Sequence, residues 1–416
     1  MSKNLSELSG RKGLENNLFD RYGKLAKSSG APRKESLAKL ADEFLIGKAN
    51  TYGATTFYDF LKPENKGKKV YLCNGSVCQC AGTQESLKEK ILDHFKEEEV
   101  GHMCCLGRCH ENAAFQYKGN NYSGSDIEDI SSIIQNSNGQ MKVDQYHVGH
   151  MGTPVLTTMN ICTEEMAKSI GQLIKSDASE LLEEIKLSGL RGRGGAGFPI
   201  GLKLQFCKKE DNDTKFIICN ADEGDPGAFS DRYLLEQKPY AVLLGMMIAG
   251  YTIGAEWGVV YIRGEYPESV QVIEDAVDAL SAKGLLGEDI MGSGFNFKFK
   301  VIKAQGSYIC GEETALINSI EGQRPEVRIR PPYPAQQGLF NKPTVVNNVE
   351  TLAALPYIFE NGGKTYADLG TEKSNGTKLI SLDSQFVRPG LYEVEMGTPL
   401  KEVVYTLGQG FKKEVK

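Results

Sequence analysis

The chain lacks a long hydrophobic run. Its longest, residues 241–253, is broken by glycines and closed by Glu256, well short of the roughly 20 apolar residues that cross a bilayer. It reads as a buried helix feeding a strand at 257–263, and no direct membrane insertion is expected. No sign of charge dominates either: 48 Lys and Arg against 54 Asp and Glu leave a net −6. With no arginine-rich stripe carrying interleaved aromatics, this excludes the electrostatic footprint of a nucleic-acid binder. The opening MSKNLSELSGRKG has no apolar signal-peptide core, and its basic residues are too mixed with Glu for a transit peptide, so a cytoplasmic location is expected. The five histidines show no ligand spacing, although His110 stands beside Cys109, and no cysteine follows Cys310. Ten cysteines in a chain expected in the cytoplasm point to metal or redox chemistry more than to disulfides.

Two local patterns stand out. Between Ser188 and Lys203 the sequence SGLRGRGGAGFPIGLK holds six glycines, so its backbone can approach a partner where side chains would intrude. Consecutive exposed N–H groups in such a loop suit the phosphate of a nucleotide or flavin. Gly192, Gly194 and Gly197 have GxGxxG spacing, yet the segment before them, 178–187, has helical periodicity, whereas a dinucleotide fingerprint requires a strand there. The loop is a phosphate-type loop of another kind. Upstream, Cys73 and Cys78 form C-x4-C, and Cys105 and Cys109 form C-x3-C. Two close thiolate pairs are the ligand set of a metal or iron–sulfur centre. The second spacing departs from that of a zinc ribbon, so a 2Fe-2S cluster is the expectation. Cys80 and Cys104 compete with their neighbours as ligands, and the bland alternative makes all six buried thiols or disulfides. Cys162, Cys207, Cys219 and Cys310 are isolated and read as packing residues.

The length of 416 residues suits two or three domains. Residues 1–62 form a helical lead-in. In 63–138, a strand at 69–73, an amphipathic helix at 84–97, a strand at 114–117 and a helix at 125–135 make an α+β module, its cysteines on loops at one end. A linker follows at 136–139. From 146 to 345, alternating helices and strands indicate an α/β domain. Its strand 216–219 runs into Asn220-Ala221-Asp222-Glu223-Gly224-Asp225-Pro226-Gly227, an acidic loop at the strand end where ligands of α/β sheets bind. Residues 346–375 connect helically to a β-rich segment, 376–416, that contains an expected GLYEVE hairpin and reads as unfinished.

GLRGRGGAGFPIGLK, NADEGDPG, GSYICGEETAL, PPYPAQQGL and NKPTVVNNVET resemble, in this order, the flavoprotein subunit of respiratory NADH:quinone oxidoreductase, complex I. The N-terminal module resembles the thioredoxin-like 2Fe-2S subunit of the same enzymes, with its C-x4-C and C-x3-C pairs. Fusion of the two is similar to the arrangement in NAD-linked formate dehydrogenases and NAD-coupled hydrogenases. The resemblance implies an α/β protein: a thioredoxin-like α+β 2Fe-2S module, a Rossmann-like α/β FMN and NADH domain, then a partial β-grasp-like segment. It also implies an FMN that takes hydride from NADH and passes single electrons to iron–sulfur clusters, Cys73, Cys78, Cys105 and Cys109 being the ligands of the 2Fe-2S cluster. Partner subunits would carry further clusters and hold the chain at the inner face of the membrane.

By the same resemblance, Gly192, Gly194 and Lys203 meet the FMN, with Asn220 and Asp222 from the strand-end loop and Asn347, Asn348 and Thr351 near the phosphate. Tyr308, Gly311, Glu312 and Glu313 lie near flavin and nicotinamide, and Glu313 accepts from ribose hydroxyls. Phe198, Phe206 and Tyr333 stack on adenine, with Arg330 beside them. Asp225 and Glu223 fall at the catalytic position, where a carboxylate helps to place the nicotinamide. Two departures matter. Asp225 stands where many members have Glu, one methylene longer, and the clustered cysteines of the family's C-terminal 4Fe-4S site have no counterpart after Cys310. A 2Fe-2S relay or assembly protein is the competing class, and it would lack the flavin's resolved yellow band.

Overall fold

The computed structural model describes residues 3–29, 31–136 and 144–413. Of the linker expected at 136–139, only residue 136 lies among them. The cysteine-bearing module is built on β1 (Val70–Cys73), β2 (Val100–Met103), β3 (Phe115–Tyr117) and β4 (Asn120–Tyr122), in the order β2-β1-β3-β4. β1 and β2 are parallel, and β3 runs antiparallel to β1 and pairs with β4. The helix Gln84–Leu92 links the parallel pair. Its Leu87 and Ile91, four residues apart on one face, pack with Val70, Leu72 and Phe115. It stops short of the expected 97 because the chain turns to bring Phe95 onto Tyr117, ring centroids 5.6 Å apart. This is the expected thioredoxin-like arrangement. β2, four residues with a glycine and a histidine, carried no strand signal.

β6 (Phe216–Ala221), β7 (Trp257–Ile262), β8 (Lys298–Lys303) and β9 (Thr344–Asn348) form an all-parallel, Rossmann-like sheet in the order β8-β7-β6-β9. Alternate side chains of a strand face opposite ways, and both faces of β6 are covered. Ile217, Cys219 and Ala221 join the cluster that contains the helix Pro239–Ile253. Phe216 and Ile218 join Phe19, Tyr22, Leu37, Leu40 and Phe44 from the lead-in helices. The lead-in is therefore the second cover of this sheet. Tyr58 Oη donates to Ser319 Oγ at 2.9 Å and Asn17 Nδ2 to the Ile320 carbonyl at 2.7 Å, satisfying polar groups inside that layer.

A third sheet joins a strand from the interior of the chain to two strands from its C-terminal region. β5 (His147–Met151) pairs parallel with β13 (Gly390–Glu395), which pairs antiparallel with β12 (Thr377–Leu382); β10 (Gly370–Thr371) and β11 (Ser374–Asn375) form a small separate hairpin. GLYEVE is one strand, and its hairpin partner is β12. Buried Glu393 clasps the sheet to the chain after β5, accepting from the N–H groups of Val155, Leu156 and Thr157 and from Thr377 Oγ1. Cys207, Cys219 and Cys310 are buried as expected, but Cys162 is exposed at the start of the helix Thr163–Leu173. Among the described residues no helix is long and apolar enough to cross a membrane.

Tight helix packing identifies a sensitive glycine. A Cβ on Gly245 would stand 1.9 Å from the Leu352 carbonyl oxygen, whereas one on Gly171 would meet only Met291 Sδ, at 3.8 Å. In urea unfolding, Gly245→Ala is expected to destabilise by about 3 kcal/mol through overpacking. Gly171→Ala, inside a helix, should stabilise by up to ~1 kcal/mol. Equal effects would contradict the packing described.

Candidate functional site

The chain leaves β6 for β7 on one side, while β9 returns on the other. Where strand order reverses in this way, a crevice opens beyond the carboxyl ends. Asn220 and Asn348 face each other in register at those ends of β6 and β9. The crevice is a cleft of ≈ 550 Å³ walled by Arg193, Gly194 and Gly195, by Asn220 and Asp222 to Asp225, by Tyr308, Gly311 and Glu312, and by Asn348, Ser230, Asp231 and Lys378.

The glycine loop is anchored at its base. The Arg193 N–H donates to Thr351 Oγ1 at 2.8 Å, and the Arg193 guanidinium to Tyr366 Oη at 3.2 Å and the Asn375 carbonyl at 2.6 Å. A Cβ on Gly194 would press on Asn348 at 3.0 Å. Gly195 has φ 118° and nothing within 4 Å of a Cβ position, so its backbone is bare toward the cleft. Gly192 closes the loop through its N–H to the Phe198 carbonyl at 2.9 Å.

The carboxyl groups sort into distinct environments. Asp222 is half-buried, its Oδ2 is inaccessible and has no hydrogen-bond partner, and desolvation of the carboxyl pushes its pKa up to about 8. Burial also raises Asp231, which accepts from Asn348 Nδ2 at 2.6 Å. Glu223 accepts from Ser230 Oγ and the Asp231 N–H, both at 3.0 Å, and so caps the helix Ser230–Gln237. Asp225 lies at the exposed rim, accepting from Tyr308 Oη at 2.7 Å. Glu312 caps the helix Glu313–Ile320, and Arg330 bridges Glu312 and Glu313 at 2.6 and 3.1 Å.

The other expected residues are absent from the cleft wall. Lys203 Nζ donates to the Val346 carbonyl at 2.9 Å and pairs with Glu313 at 3.3 Å. Gly192, Thr351 and Asn347 also lie outside the wall, and the buried Nδ2 of Asn347 has no partner. Phe198, Phe206 and Tyr333 are exposed apolar faces. Arg193, Ser230, Asp231 and Lys378 escaped the sequence reading. Arg193 had a signal, a cation inside the glycine loop; Lys378, on β12 and paired with buried Glu350, had none.

Cys73 ends β1, Cys78 lies in the helix Ser76–Cys80, and Cys105 and Cys109 flank the turn after β2. All four are buried, whereas Cys80 and Cys104 are exposed. Cys105 and Cys109 Sγ are 3.6 Å apart, and their shared hydrogen bond lowers the Cys105 pKa while raising that of Cys109. Cys78 and Cys73 form a second hydrogen-bonded pair, lowered and raised likewise. Among the described residues no three cysteine sulfurs gather within 4.8 Å. Two separate pairs suit a binuclear centre with two thiolates per metal better than one four-ligand ion. His110, Glu111 and Asp144 do cluster, but Asp144 is taken by Arg108 at 2.5 Å and by Arg232. The Cys109 sulfur accepts from the Gly227 N–H at 3.2 Å, which sets the cysteine turn against the acidic loop of the cleft.

Residues 16–138 match the thioredoxin-like [2Fe-2S] ferredoxin family, and residues 185–357 match the Nuo51 FMN-binding domain. An NADH-quinone oxidoreductase subunit of Rhizobium meliloti is 46% identical over 239 residues, covering 58% of this chain and 56% of that protein. The NAD-reducing hydrogenase HoxS subunit alpha of Cupriavidus necator is 36% identical over 380 residues, 85% of this chain and 63% of that protein. The chain thus spans only part of the length of these relatives. A solved structure of an air-oxidised NAD+-reducing [NiFe]-hydrogenase superposes with a TM-score of 0.81 at 29% identity, covering 96% of this chain and 71% of that one. In one polypeptide, this chain joins a thioredoxin-like [2Fe-2S] ferredoxin domain to a Nuo51 FMN-binding domain.

Proposed function

We propose that this chain is an NADH dehydrogenase, or diaphorase, module working in the cytoplasm as part of a larger complex. It would transfer hydride between NAD(H) and FMN and pass single electrons to its 2Fe-2S cluster and to clusters on partner subunits. The observation that carries this reading is the hydrogen bond from Gly227 to Cys109 Sγ, which brings a candidate cluster ligand onto the loop that walls the flavin cleft. The relative that covers 85% of the chain is a hydrogenase subunit, which favours a second reading in which partners drive the same chemistry toward NAD reduction, as in hydrogenases or formate dehydrogenases.

The residues present fit both groups. A cleft of ≈ 550 Å³ is in the range of cofactor sites, Gly195 leaves room for close approach, and the Asp222 oxygen awaits a partner. FMN, when bound, supplies the exchange between two-electron and one-electron chemistry. Arg193, Lys378 and Asn348 would hold its phosphate. Asp222, neutral near pH 7, would donate a hydrogen bond into the cleft. Asp225 and Tyr308 at the rim would orient the nicotinamide, while Glu223 holds the helix start beneath them. Phe198, Phe206 and Tyr333 offer exposed rings for adenine, and the Lys203–Glu313–Arg330 chain carries the donors and acceptors a ribose needs.

Three measurements test this reading. Serine at Cys73, Cys78, Cys105 or Cys109 should abolish or shift the EPR signal of the reduced cluster, since alkoxide is a harder and poorer iron ligand than thiolate. Serine at exposed Cys80 or Cys104 should leave it unchanged, and the reverse pattern would reassign the ligands.

Protein reconstituted with FMN should bleach on addition of NADH. Gly195→Val, which forces a branched side chain onto a φ of 118°, should weaken FMN binding by roughly tenfold or more with an unchanged fold. No bleaching by the wild type would remove the enzymatic reading.

Asp222 also makes a pH signature. Its folded pKa of about 8 lies above the unfolded value of 3.8, so between them the folded state holds a proton that the unfolded state has lost. Stability therefore falls as pH rises through that window. In urea titrations of the FMN-free protein, Asp222→Asn should flatten this decline. An unaltered slope would show that Asp222 is not the desolvated acid described.

A further inference from the structure

Arg263, next after β7, is 3% exposed, and it touches both candidate redox loops. One terminal guanidinium nitrogen donates to the Glu223 carbonyl at 2.5 Å, in the wall of the cleft. The other donates to the Cys104 carbonyl at 2.9 Å, one residue before Cys105. Nε meets Glu265 Oε2 at 3.2 Å, and the guanidinium lies 4.9 Å from the Tyr266 ring centroid. The planar fork thus bridges two carbonyls that belong to different modules, a geometry that a lysine ammonium cannot reproduce. Tyr266 seats the same turn from below, since a Cβ on Gly107 would come within 2.5 Å of its ring. Two further guanidinium groups are buried at this turn, each facing two carboxylates: Arg108 pairs with Asp144 and Glu268, and Arg232, which donates to the Gly107 carbonyl, pairs with Asp144 and Glu236. Among the described residues Arg263 has an ion pair with Glu265 alone, and that carboxylate meets Nε, leaving both terminal nitrogens to the loops.

We propose that Arg263 is a positioning residue that locks the cysteine turn to the flavin cleft and, by its charge, raises the reduction potential of the cluster held on that turn. The inference rests on the reading that Cys105 and Cys109 ligate a 2Fe-2S cluster. One-electron reduction adds one negative charge to the cluster and makes or breaks no bond. A fixed cation buried beside the turn stabilises the reduced state over the oxidised one, and little solvent is present to screen it. The same bridge holds the Glu223 carbonyl, so the path between cleft and cluster keeps one length.

The test is a potentiometric titration by EPR, with dithionite as electron donor, of the whole reconstituted chain, with iron, sulfide and FMN quantified. Arg263→Met should move the cluster midpoint to more negative potential by about a tenfold change in equilibrium constant, ~59 mV for one electron. Arg263→Lys, which keeps the charge, should recover most of that shift. Glu265→Gln, which removes the counter-charge, should move the midpoint the opposite way. A purely structural role would affect Met and Lys variants alike and would not produce opposite signs. A fully loaded Arg263→Met protein with the wild-type potential overturns the inference. If that variant does not assemble, Glu265→Gln decides, and a midpoint unmoved or lowered overturns it. Absence of any cluster from the wild type would instead overturn the proposed function on which the inference stands.

Discussion

The arrangement of the two candidate redox sites depends on buried charge satisfied across the seam between the cysteine module and the parallel sheet. Arg108, inside the CLGRC turn, pairs with Asp144 at 2.5 Å and with Glu268 at 3.2 Å, all three nearly inaccessible. Glu268 also accepts from the Asn121 N–H at 2.6 Å, and Asn121 Nδ2 donates to the Glu265 carbonyl at 2.8 Å. Removing one member of such a pair strands the other without water, at a cost of about 3–5 kcal/mol. The seam therefore admits one registry, and that registry sets Cys109 on Gly227.

The cleft obeys the same electrostatic logic in another form. It collects more carboxyl groups than a phosphate-bearing ligand would tolerate if all were ionised. Burial eases the conflict by raising the pKa of Asp222, to about 8, and that of Asp231, while Glu223 and Glu312 turn their charge onto helix N-termini. Glu350, also buried, is matched by Lys378, which reaches the cleft from the C-terminal sheet. The wall thus presents two cations, Arg193 and Lys378, where sequence alone suggested an acidic surface.

Much of the fold was legible because its signals are local. The apolar runs of β6 and β7, the i, i+4 leucine and isoleucine of the helix Gln84–Leu92, and the glycine punctuation all act within one element. The site was legible where a motif carries its own geometry: the glycine loop, the strand-end acidic loop and the paired cysteines. Burial then separated Cys78 from Cys80 and Cys105 from Cys104, a distinction that spacing left open.

By itself, the sequence determined most element types, the α/β and α+β division of the chain, the loop that leaves backbone bare at Gly195, and the four sulfurs in two pairs. Only the tertiary structure decided that the lead-in helices cover the parallel sheet, that β5 completes the sheet of β12 and β13 from more than two hundred residues away, and that Arg263 joins Cys104 to Glu223. Periodicity and turn chemistry act between residues a few positions apart. Which apolar face covers which, and which carbonyl meets a buried guanidinium, is set by the exclusion of water from surfaces distant in the chain.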